Sequence, residues 1–495
     1  MGCFNSGYEL ILVSERKGPA PRGTTRSRSI STGSATATKR MDPSSVRIIS
    51  ECYVTPQHAS DRSKQPYYLT TWDIVMLSVQ YIQKGLLYAK PEGNCEENLI
   101  SNVLDRLKQS LSIALVHFYP LAGRLATKIE ENPKSHFVFV DCNNSPGAKF
   151  IHAAVDLSVS DIVSPTYVPL VVQSFFDHDR AINYDGHTRP LLSIQVTELV
   201  DGVFIGCSMN HAIGDGTSFW HFFNTLSEIF QAQGDTNLKI SRPPVLEKWF
   251  PEGHGPLLNL PFTNQDELIS RFEAPELLER IFHFSAKSIA KLKERANTES
   301  NTTKISSFQS LSAFVWRSIT KARRFPNETV TGCRLAINNR SRLEPALSPD
   351  YFGNSIQTVR AVTTAGELLN HGLGWAAWKL HQAVVNHTDK QVRGFVNGWL
   401  DSPFIYQIAQ LFDPQSVMMG SSPRFNKYGN EFGLGKALTL RSGYAHKFDG
   451  KVSAYPGHEG GGSIDLEICL PPSSMKALEL DEEFMSVVSC GGIGI

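Results

Sequence analysis

The sequence lacks paired cysteines, an excess of charge of either sign and any long apolar run. Its 495 residues include eight cysteines, none in a Cys-x-x-Cys pair or in a Cys/His cluster with zinc spacing. We therefore expect reduced thiols, no metal site and a reducing cytosol. Because 48 basic residues balance 48 acidic ones, nothing favours nucleic acid as a partner. The longest apolar candidates, such as residues 112–123, fall short of the roughly 20 residues of a membrane span.

Residues 1–45 differ in composition from the rest of the chain. Ser, Thr, Gly and Pro dominate from Gly18 to Ser34, and such a segment buries too little apolar surface to order itself, which predicts a disordered extension. Two alternatives stay open. The first six residues fit a myristoylation pattern, with Cys3 as a palmitoylation site, and the Arg/Ser-rich tract resembles an organelle transit peptide. A translation start at Met41 would remove the segment. We expect a cytoplasmic protein.

The remaining length suggests two globular domains of the α/β class. Apolar runs of strand length and stretches with helical spacing alternate between residues 46 and 230. Residues 231–274 are rich in Pro and Gly without a sustained period, which predicts a linker. A second mixed region follows over residues 275–495, with helices expected at 285–297 and 306–324.

The stretch 203–220, VFIGCSMNHAIGDGTSFW, has the most distinctive pattern in the chain. It predicts a buried strand that ends just before His211, then a glycine-rich turn around Asp215, then a helix capped by Thr217 or Ser218. A strand end is rigid, and a glycine turn leaves room for a substrate to approach. Since an imidazole titrates near neutral pH, this is a suitable position for a general base.

Two competing interpretations of these residue types exist. The H-x-x-x-D spacing also occurs at His152 and Asp156, but there it lacks glycines and a polar turn, which favours a surface or strand-edge histidine. Cys207 could in principle act as a nucleophile. It lies in the middle of an apolar strand, however, so we expect it to be buried and structural.

Four motifs, the first of them within the stretch 203–220, carry a resemblance to a known family. NHAIGDGTSF at 210–219, FYPLAGRL at 118–125, YFGN at 351–354 and EFGLGK at 431–436 stand in the order found in plant acyl-CoA-dependent acyltransferases, the BAHD or HXXXD-type family. The sequence of residues 421–425, 443–457 and 460–472 resembles a subgroup of uncharacterised acetyltransferases, related to proteins named for enhanced Pseudomonas susceptibility. The resemblance covers residues 46–490.

The resemblance implies both a fold and a reaction. The expected fold has two chloramphenicol-acetyltransferase-like mixed-sheet domains, joined by a crossover linker, with a channel at their interface. The expected partners are acyl-CoA as co-substrate and a small specialised metabolite as acceptor, with no bound cofactor, in a monomeric enzyme. His211 would deprotonate a hydroxyl or amine of the acceptor and later protonate the CoA thiolate, without a covalent intermediate. The alternatives are base-assisted elimination from an acylated conjugate, by the same fold and site, and a non-catalytic binding protein.

The resemblance also suggests roles for residues outside the His211 motif. Asp215 is expected to pair with Arg340 and to be structural, as is the box containing Glu431, Gly433 and Gly435. This chain has Glu431 and Leu434 where the family has Asp and Trp. Because the family's box is structural, these two differences bear on how the box packs and not on the catalytic chemistry. Ser422 stands where the family often has a Trp near the acyl carbonyl. The candidate pocket walls are Thr71, Trp72 and Tyr351, and the candidate CoA ligands are Ser306, Ser307, Lys304, Lys447 and Lys451.

Overall fold

The computed structural model describes residues 45–59, 61–91, 98–132, 134–143, 146–232, 239–260, 267, 269–411 and 413–489. The predicted N-terminal extension, including Cys3 and Met41, lies outside the described residues apart from Ser45. Parts of the predicted linker, residues 233–238, 261–266 and 268, lie outside them as well.

Strands and helices are interleaved along the described chain, as the sequence pattern predicts. The strands are β1 (Arg47–Val54), β2 (Tyr67–Tyr68), β3 (Ile82–Ala89), β4 (Arg124–Glu131), β5 (Lys134–Asp141), β6 (Ala148–Ala154), β7 (Leu192–Glu198), β8 (Gly202–Met209), β9 (Leu278–Phe284), β10 (Val330–Asn338), β11 (Ile356–Thr364), β12 (Val417–Gly420), β13 (Thr439–Ser442), β14 (Lys451–Pro456) and β15 (Ile464–Leu470). The helices are α1 (Thr71–Ile74), α2 (Leu99–His117), α3 (Val159–Val163), α4 (Gly216–Gln231), α5 (Ala286–Glu299), α6 (Ser307–Arg323), α7 (Ala365–Asn370), α8 (Leu373–Val385), α9 (Asp389–Asp401), α10 (Ile408–Leu411), α11 (Pro472–Glu479) and α12 (Glu482–Val487).

The described strands form two large mixed sheets and one small sheet. The first sheet has the order β1-β6-β7-β8-β3-β13, the second has the order β11-β10-β12-β14-β15-β9, and the small sheet is β2-β5-β4. Most neighbours are antiparallel, whereas β6 and β7, β10 and β12, and β12 and β14 run parallel. Mixed sheets covered by helices confirm the predicted α/β class.

Strand β8 lies inside the first sheet and is buried along its whole length. It pairs with β7 and β3, so that Met209 lies opposite Leu192 on one side and Ile82 on the other. An apolar run of this kind, without alternation, is typical of a strand covered on both faces. The predicted strand before His211 is therefore confirmed.

The helix after the glycine turn begins as predicted but has a different cap. Helix α4 starts at Gly216, and its N-cap is Asp215 rather than Thr217 or Ser218. Asp215 Oδ1 accepts hydrogen bonds from the backbone N–H groups of Thr217 and Ser218, both at 3.0 Å. A carboxylate satisfies two otherwise unpaired donors at once and also suits the positive end of the helix dipole.

The predicted helices of the second half are confirmed with small shifts at their ends. Helix α5 begins after the N-cap Ser285, and α6 begins after Ser306, whose hydroxyl accepts from the backbone N–H of Gln309. The Gln309 side chain in turn accepts from the backbone N–H of Ser306 at 2.9 Å, which completes a capping box.

Two segments cross between the halves of the chain. Strand β13 lies in the second half of the sequence but extends the first sheet, where Leu440 pairs with Leu86 of β3. The predicted division at residue 275 therefore does not separate the two sheets, because the chain returns to the first sheet after the 431–436 box. In the described part of the linker, the Val245 N–H donates to the Asp350 carbonyl and the Val245 carbonyl accepts from the Phe352 N–H, both at 2.9 Å. One hydrophobic cluster accordingly contains residues of both halves, such as Ile205 and Phe432.

Candidate active site

His211 directly follows the buried strand β8, and both of its backbone polar groups are held. Its N–H donates to Asn183 Oδ1 at 2.7 Å, and its carbonyl accepts from Asn354 Nδ2 at 2.7 Å. Asn183 is itself buried and donates to the carbonyl of Met76 at 2.7 Å. Since buried amides hold the backbone from two directions, the position of the imidazole is set by the surrounding fold.

The residue His211 is partly accessible although Asn210 and Ala212 on either side are buried, and its Nδ1 is buried. Its Nδ1 has no hydrogen-bond partner among the other described residues. Burial lowers the pKa of His211 below its usual 6.5, while its own backbone carbonyl and the Asp215 carboxylate oppose this shift. The imidazole is therefore neutral near pH 7 and able to accept a proton, as a general base must be.

Asp215 lies four residues on, where it is fully buried and pairs with Arg340. Arg340 Nη1 donates to Asp215 Oδ2 at 2.7 Å, and Nη2 donates to Oδ1 at 3.1 Å, a bidentate contact. The backbone N–H of Ser355 adds a third donor at 3.0 Å. Burial alone would raise the pKa of Asp215, but the Arg340 charge and these hydrogen bonds outweigh it and lower the pKa below 3.8. Asp215 is thus an ionised structural anchor that faces an arginine rather than substrate.

Arg340 also fixes the YFGN segment. Its guanidinium donates to the carbonyls of Tyr351 at 2.9 Å and Gly353 at 3.0 Å. Gly353 has a φ of 153°, and a Cβ at this position would lie 2.6 Å from Lys248 Nζ. The glycine of the motif is therefore required by both backbone conformation and space.

A hydrogen-bond network that the sequence reasoning missed connects this segment to His211. Asn354 donates from its backbone N–H and from Nδ2 to Asp73 Oδ1, both at 2.9 Å, and the same amide group holds the His211 carbonyl. Lys248 Nζ neutralises Asp73 Oδ2 at 2.8 Å. The sequence offered one indication that Asn354 belongs to the site, which is its position in the YFGN motif. No local signal exists for Asp73 and Lys248, because 175 residues separate them.

The three residues suggested as pocket walls lie in the interior. Thr71, Trp72 and Tyr351 are 3%, 1% and 2% exposed. Trp72 stacks on Trp249 with ring centroids 5.1 Å apart. These residues therefore expose almost no surface to a ligand in this structure, and the expectation that they form accessible walls is corrected. Thr71, Trp72 and Tyr351 are instead part of the buried interior around Asp73.

Ser422 lies on a partly accessible turn after β12. Its Oγ accepts from the backbone N–H of Arg424 at 3.2 Å, which leaves its hydroxyl proton available to a ligand. The preceding Ser421 has a φ of 64°, so the backbone turns sharply at this point. The Ser421 hydroxyl accepts from Lys427 Nζ at 3.0 Å.

The 431–436 box is a packing element that returns the chain to the first sheet. The Glu431 side chain is exposed, and its backbone N–H and carbonyl both bond to the Ser227 hydroxyl of α4. Gly433 and Gly435 have φ values of 73° and 74°, a conformation that other residues rarely adopt. Leu434 is only 6% exposed, so the smaller side chain is accommodated within the packed core.

The candidate CoA ligands divide into three groups. Ser306 caps α6, and Ser307 borders a groove of about 560 Å³ that Asn297 of α5 also lines. Lys304 is exposed beside them. Lys447, in contrast, is buried in ion pairs with the carboxylates of Glu279 and Glu467, so the structure removes it from the candidates for binding phosphate. Lys451 lies elsewhere, at the start of β14, and is partly accessible.

A second histidine that the sequence reasoning missed faces His211. The rings of His211 and His446 are 5.6 Å apart between centroids, at an interplanar angle of 79°. His446 has a φ of 62°, and its backbone N–H donates to Gln80 Oε1 at 2.6 Å. Its sequence neighbourhood, GYAHKF, contains no pattern that separates it from the other 14 histidines.

The two competing interpretations receive no structural support. Cys207 is fully buried, and burial raises the pKa of its thiol well above 9, which disfavours the reactive thiolate. His152 Nε2 lies 2.5 Å from Glu198 Oε1, while Asp156 is exposed near Arg47. The second H-x-x-x-D pair therefore does not form a site.

The described part of the chain shows neither a metal-binding cluster nor a membrane-spanning helix. No group of three or more His, Cys, Asp or Glu side chains there is arranged to hold a metal ion. No helix among those residues has the length and apolar character required to cross a bilayer.

Comparisons with known proteins agree with this architecture. Two solved structures share the fold. Vinorine synthase is 21% identical with a TM-score of 0.68, over 90% of this chain and all of that one. TRI101 of F. graminearum, in complex with coenzyme A and T-2 mycotoxin, is 19% identical with a TM-score of 0.64, over 85% and 98%. These matches confirm the predicted chloramphenicol-acetyltransferase-like fold.

Sequence relatives establish the family. An uncharacterised acetyltransferase of Arabidopsis thaliana is 35% identical over 90% of this chain and 99% of its own length. The protein Enhanced Pseudomonas Susceptibility 1 of the same plant is 35% identical over 89% and 98%. BAHD acyltransferase DCR, also from Arabidopsis thaliana, is 34% identical over 89% and 92%. The family model described as "Transferase family" matches residues 44–485. The chain therefore belongs to this transferase family and is a BAHD acyl-CoA-dependent acyltransferase.

Proposed function

We propose that this enzyme transfers an acyl group from acyl-CoA directly to a hydroxyl or amine of a small specialised metabolite, with His211 as the general base. The observation that carries the proposal is His211, a partly accessible residue with a neutral imidazole, fixed through both backbone groups at the end of β8. A residue of this kind can remove a proton without first losing one itself.

The reaction consists of two steps on the same base. The imidazole removes the proton from the acceptor hydroxyl or amine as that group attacks the thioester carbonyl. The tetrahedral intermediate then collapses, the carbon–sulfur bond breaks, and His211 returns the proton to the CoA thiolate. Because the acceptor attacks directly and Cys207 is buried with a raised pKa, no acyl-enzyme is required.

The remaining candidates take supporting roles in this proposal. The free hydroxyl proton of Ser422 is the candidate donor to the oxyanion of the tetrahedral intermediate. Ser306, Ser307 and Lys304, at the N-terminus of α6, are the candidate ligands for the CoA phosphates, because helix N-termini and ammonium groups both favour anions. Asp215 and Arg340 hold the turn after His211 in place.

The test is CoA release by matched histidine variants. Acetyl-, malonyl- and hydroxycinnamoyl-CoA are each supplied with a panel of alcohols and amines, and free thiol is followed. His211→Ala is expected to lower kcat about 10²–10⁴-fold, whereas His152→Gln, in the second H-x-x-x-D pair, leaves kcat unchanged. Equal rates for His211→Ala and the wild type would refute the assignment. Conversion of an acylated conjugate without any CoA release would instead indicate the elimination alternative.

A further inference from the structure

Hydrogen bonds fix the backbone of His211 but do not hold its Nδ1. Asn183 and Asn354 bind the N–H and the carbonyl of His211, whereas Nδ1 is buried without a hydrogen-bond partner among the other described residues. Asp215 does not orient the ring, because its carboxylate faces Arg340. The torsion that turns a histidine ring is soft and broad. Because a general base must present its nitrogen in a defined direction, packing has to restrict this torsion.

The ring of His446 packs against the His211 ring in an edge-to-face arrangement. The two ring centroids are 5.6 Å apart and the interplanar angle is 79°, which is the geometry of a T-shaped aromatic pair. Among the residues that the structure describes, this is the one aromatic ring contact that His211 makes. Since packed side chains exclude one another, the His446 ring limits the rotation of the His211 imidazole on that side.

The turn that carries His446 is anchored to the first sheet by two buried glutamines. The His446 N–H donates to Gln80 Oε1 at 2.6 Å, and the Ala445 N–H donates to Gln83 Oε1 at 3.1 Å. Gly443 allows this close approach, because a Cβ at that position would lie 2.3 Å from Gln83 Oε1. The backbone at His446 is therefore held in place from β3 and the residues before it.

The next residue anchors the same turn to the second sheet. Lys447 is buried, and its Nζ pairs with the carboxylates of Glu279 on β9 and Glu467 on β15. It also donates to the Ser442 hydroxyl at 2.9 Å. The turn between β13 and β14 is thus fixed to both large sheets, so the position of the His446 ring is set by the fold.

His446 has a left-handed backbone conformation, with a φ of 62°. Residues other than glycine adopt it infrequently, and such strain persists where the surroundings impose it, commonly at functional sites. The residue before Gln80 also belongs to the support of His211. The Val79 carbonyl accepts from the N–H of Asn183, the residue that holds the His211 N–H, at 2.8 Å. One short segment therefore supports both histidines.

The His446 ring is uncharged near neutral pH. Burial, and then the charge of His211, lowers the pKa of His446 well below 6.5. Its Nε2 has no hydrogen-bond partner among the described residues. A neutral ring does not repel the imidazolium that His211 becomes when it accepts a proton. His446 can therefore pack against the base throughout the reaction.

We propose that His446 is a positioning residue for the reaction, and that its ring keeps the His211 imidazole in the orientation that removes the proton from the acceptor. This inference rests on the proposed function, since it concerns the same base. Because His446 acts through His211, its contribution to the rate has to disappear when the His211 imidazole is removed.

The test is a double-mutant cycle on CoA release. His446→Asn removes the ring and introduces a residue type that tolerates a left-handed backbone. It is expected to lower kcat about 10- to 100-fold with little change in KM, because the base is present but poorly aligned. His446→Phe keeps an aromatic ring and is expected to retain most of the wild-type kcat. In the His211→Ala background, His446→Asn should cause no further loss.

His458→Asn is the matched control. His458 is also partly accessible, and its ring makes a T-shaped contact with Tyr428 at 5.3 Å and 85°, so its replacement should leave kcat unchanged. Three results overturn the inference: wild-type kcat in His446→Asn, equal losses with and without the His211 imidazole, or a loss in His446→Phe as large as in His446→Asn. Wild-type CoA release by His211→Ala would instead refute the proposed function.

A measurement on the wild-type enzyme tests the contact without relying on turnover or on the stability of His446→Asn. The protein is labelled selectively at histidine for NMR, and the ring signals of His211 and His446 are assigned by their absence in His211→Ala and His446→Phe. A nuclear Overhauser effect between the two rings is expected. Its absence from the spectrum of the wild type contradicts the packing on which the inference rests.

Discussion

Removal of Arg340 is the perturbation whose effect follows most directly from the structure. Arg340→Met leaves the Asp215 carboxylate at 0% exposure without its bidentate partner. It also removes the Arg340 hydrogen bonds to the carbonyls of Tyr351 and Gly353, although Gly353 keeps the Ser218 hydroxyl as a donor. Breaking one side of a buried ion pair costs about 3–5 kcal/mol. Because the entropy of unfolding grows with chain length, about 1 kcal/mol corresponds to about 1 °C in a chain of this size. The expected loss in Tm is therefore about 3–5 °C.

The assay is thermal unfolding combined with CoA-release kinetics. Arg47→Met, which removes an exposed ion pair to Asp156, is the matched control and leaves Tm unchanged within error. The double variant Arg340→Met/Asp215→Asn is expected to lose less stability than the two single changes added together, because no unpaired charge stays buried. A wild-type Tm for Arg340→Met, or lost turnover at unchanged Tm, would refute the structural role of the pair.

Three further predictions concern pH and packing. Because the pKa of Asp215 is lower in the folded than in the unfolded state, the ionised carboxylate stabilises the fold fully above about pH 4. This stabilisation is lost as the pH falls towards the folded-state pKa. Between pH 6 and pH 3, Tm should therefore fall less in Asp215→Asn than in the wild type. The charge of Lys451 lowers the pKa of His211, so Lys451→Met should move the acid limb of the kcat/KM profile to higher pH, and an unmoved limb would contradict this electrostatic effect. Phe432 is fully buried in an aromatic cluster, so Phe432→Ala should destabilise the enzyme by about 3–5 kcal/mol in denaturant unfolding, whereas the exposed Glu431→Ala should have no measurable effect.

Local sequence patterns predicted the elements that present the catalytic candidate. The apolar run before His211, the glycine turn and the helix after it are all features of neighbouring residues, and strand β8 and helix α4 confirm them. The predicted cap was wrong by two or three residues, because Asp215 accepts from the backbone N–H groups of Thr217 and Ser218 and the helix already begins at Gly216. Neighbouring residues predict that a helix begins near residue 216, but they do not predict which side-chain oxygen caps it.

The residues of the site that the sequence did not predict are held by contacts between distant parts of the chain. Asp73, Lys248 and Asn354 meet only because the linker and α1 fold against the YFGN segment. Lys84 of β3 donates to Tyr455 of β14 only because the fold brings these two strands of different sheets together. Asp, Asn and Lys are common residue types, and no sequence pattern around these positions marks them. Their contacts therefore follow from how the chain folds and could not be predicted from neighbouring residues. The same topology explains why Lys447, grouped with Lys451 by sequence, is occupied by Glu279 and Glu467.

The most direct test of the central claim is chemical rescue of the missing base. In His211→Ala the acceptor loses its proton acceptor, while the Asn183 and Asn354 contacts to the backbone are retained. Added imidazole should therefore restore a measurable part of CoA release, with a pH dependence that follows the titration of imidazole itself. Wild-type CoA release by His211→Ala without imidazole would contradict the assignment of His211 as the general base.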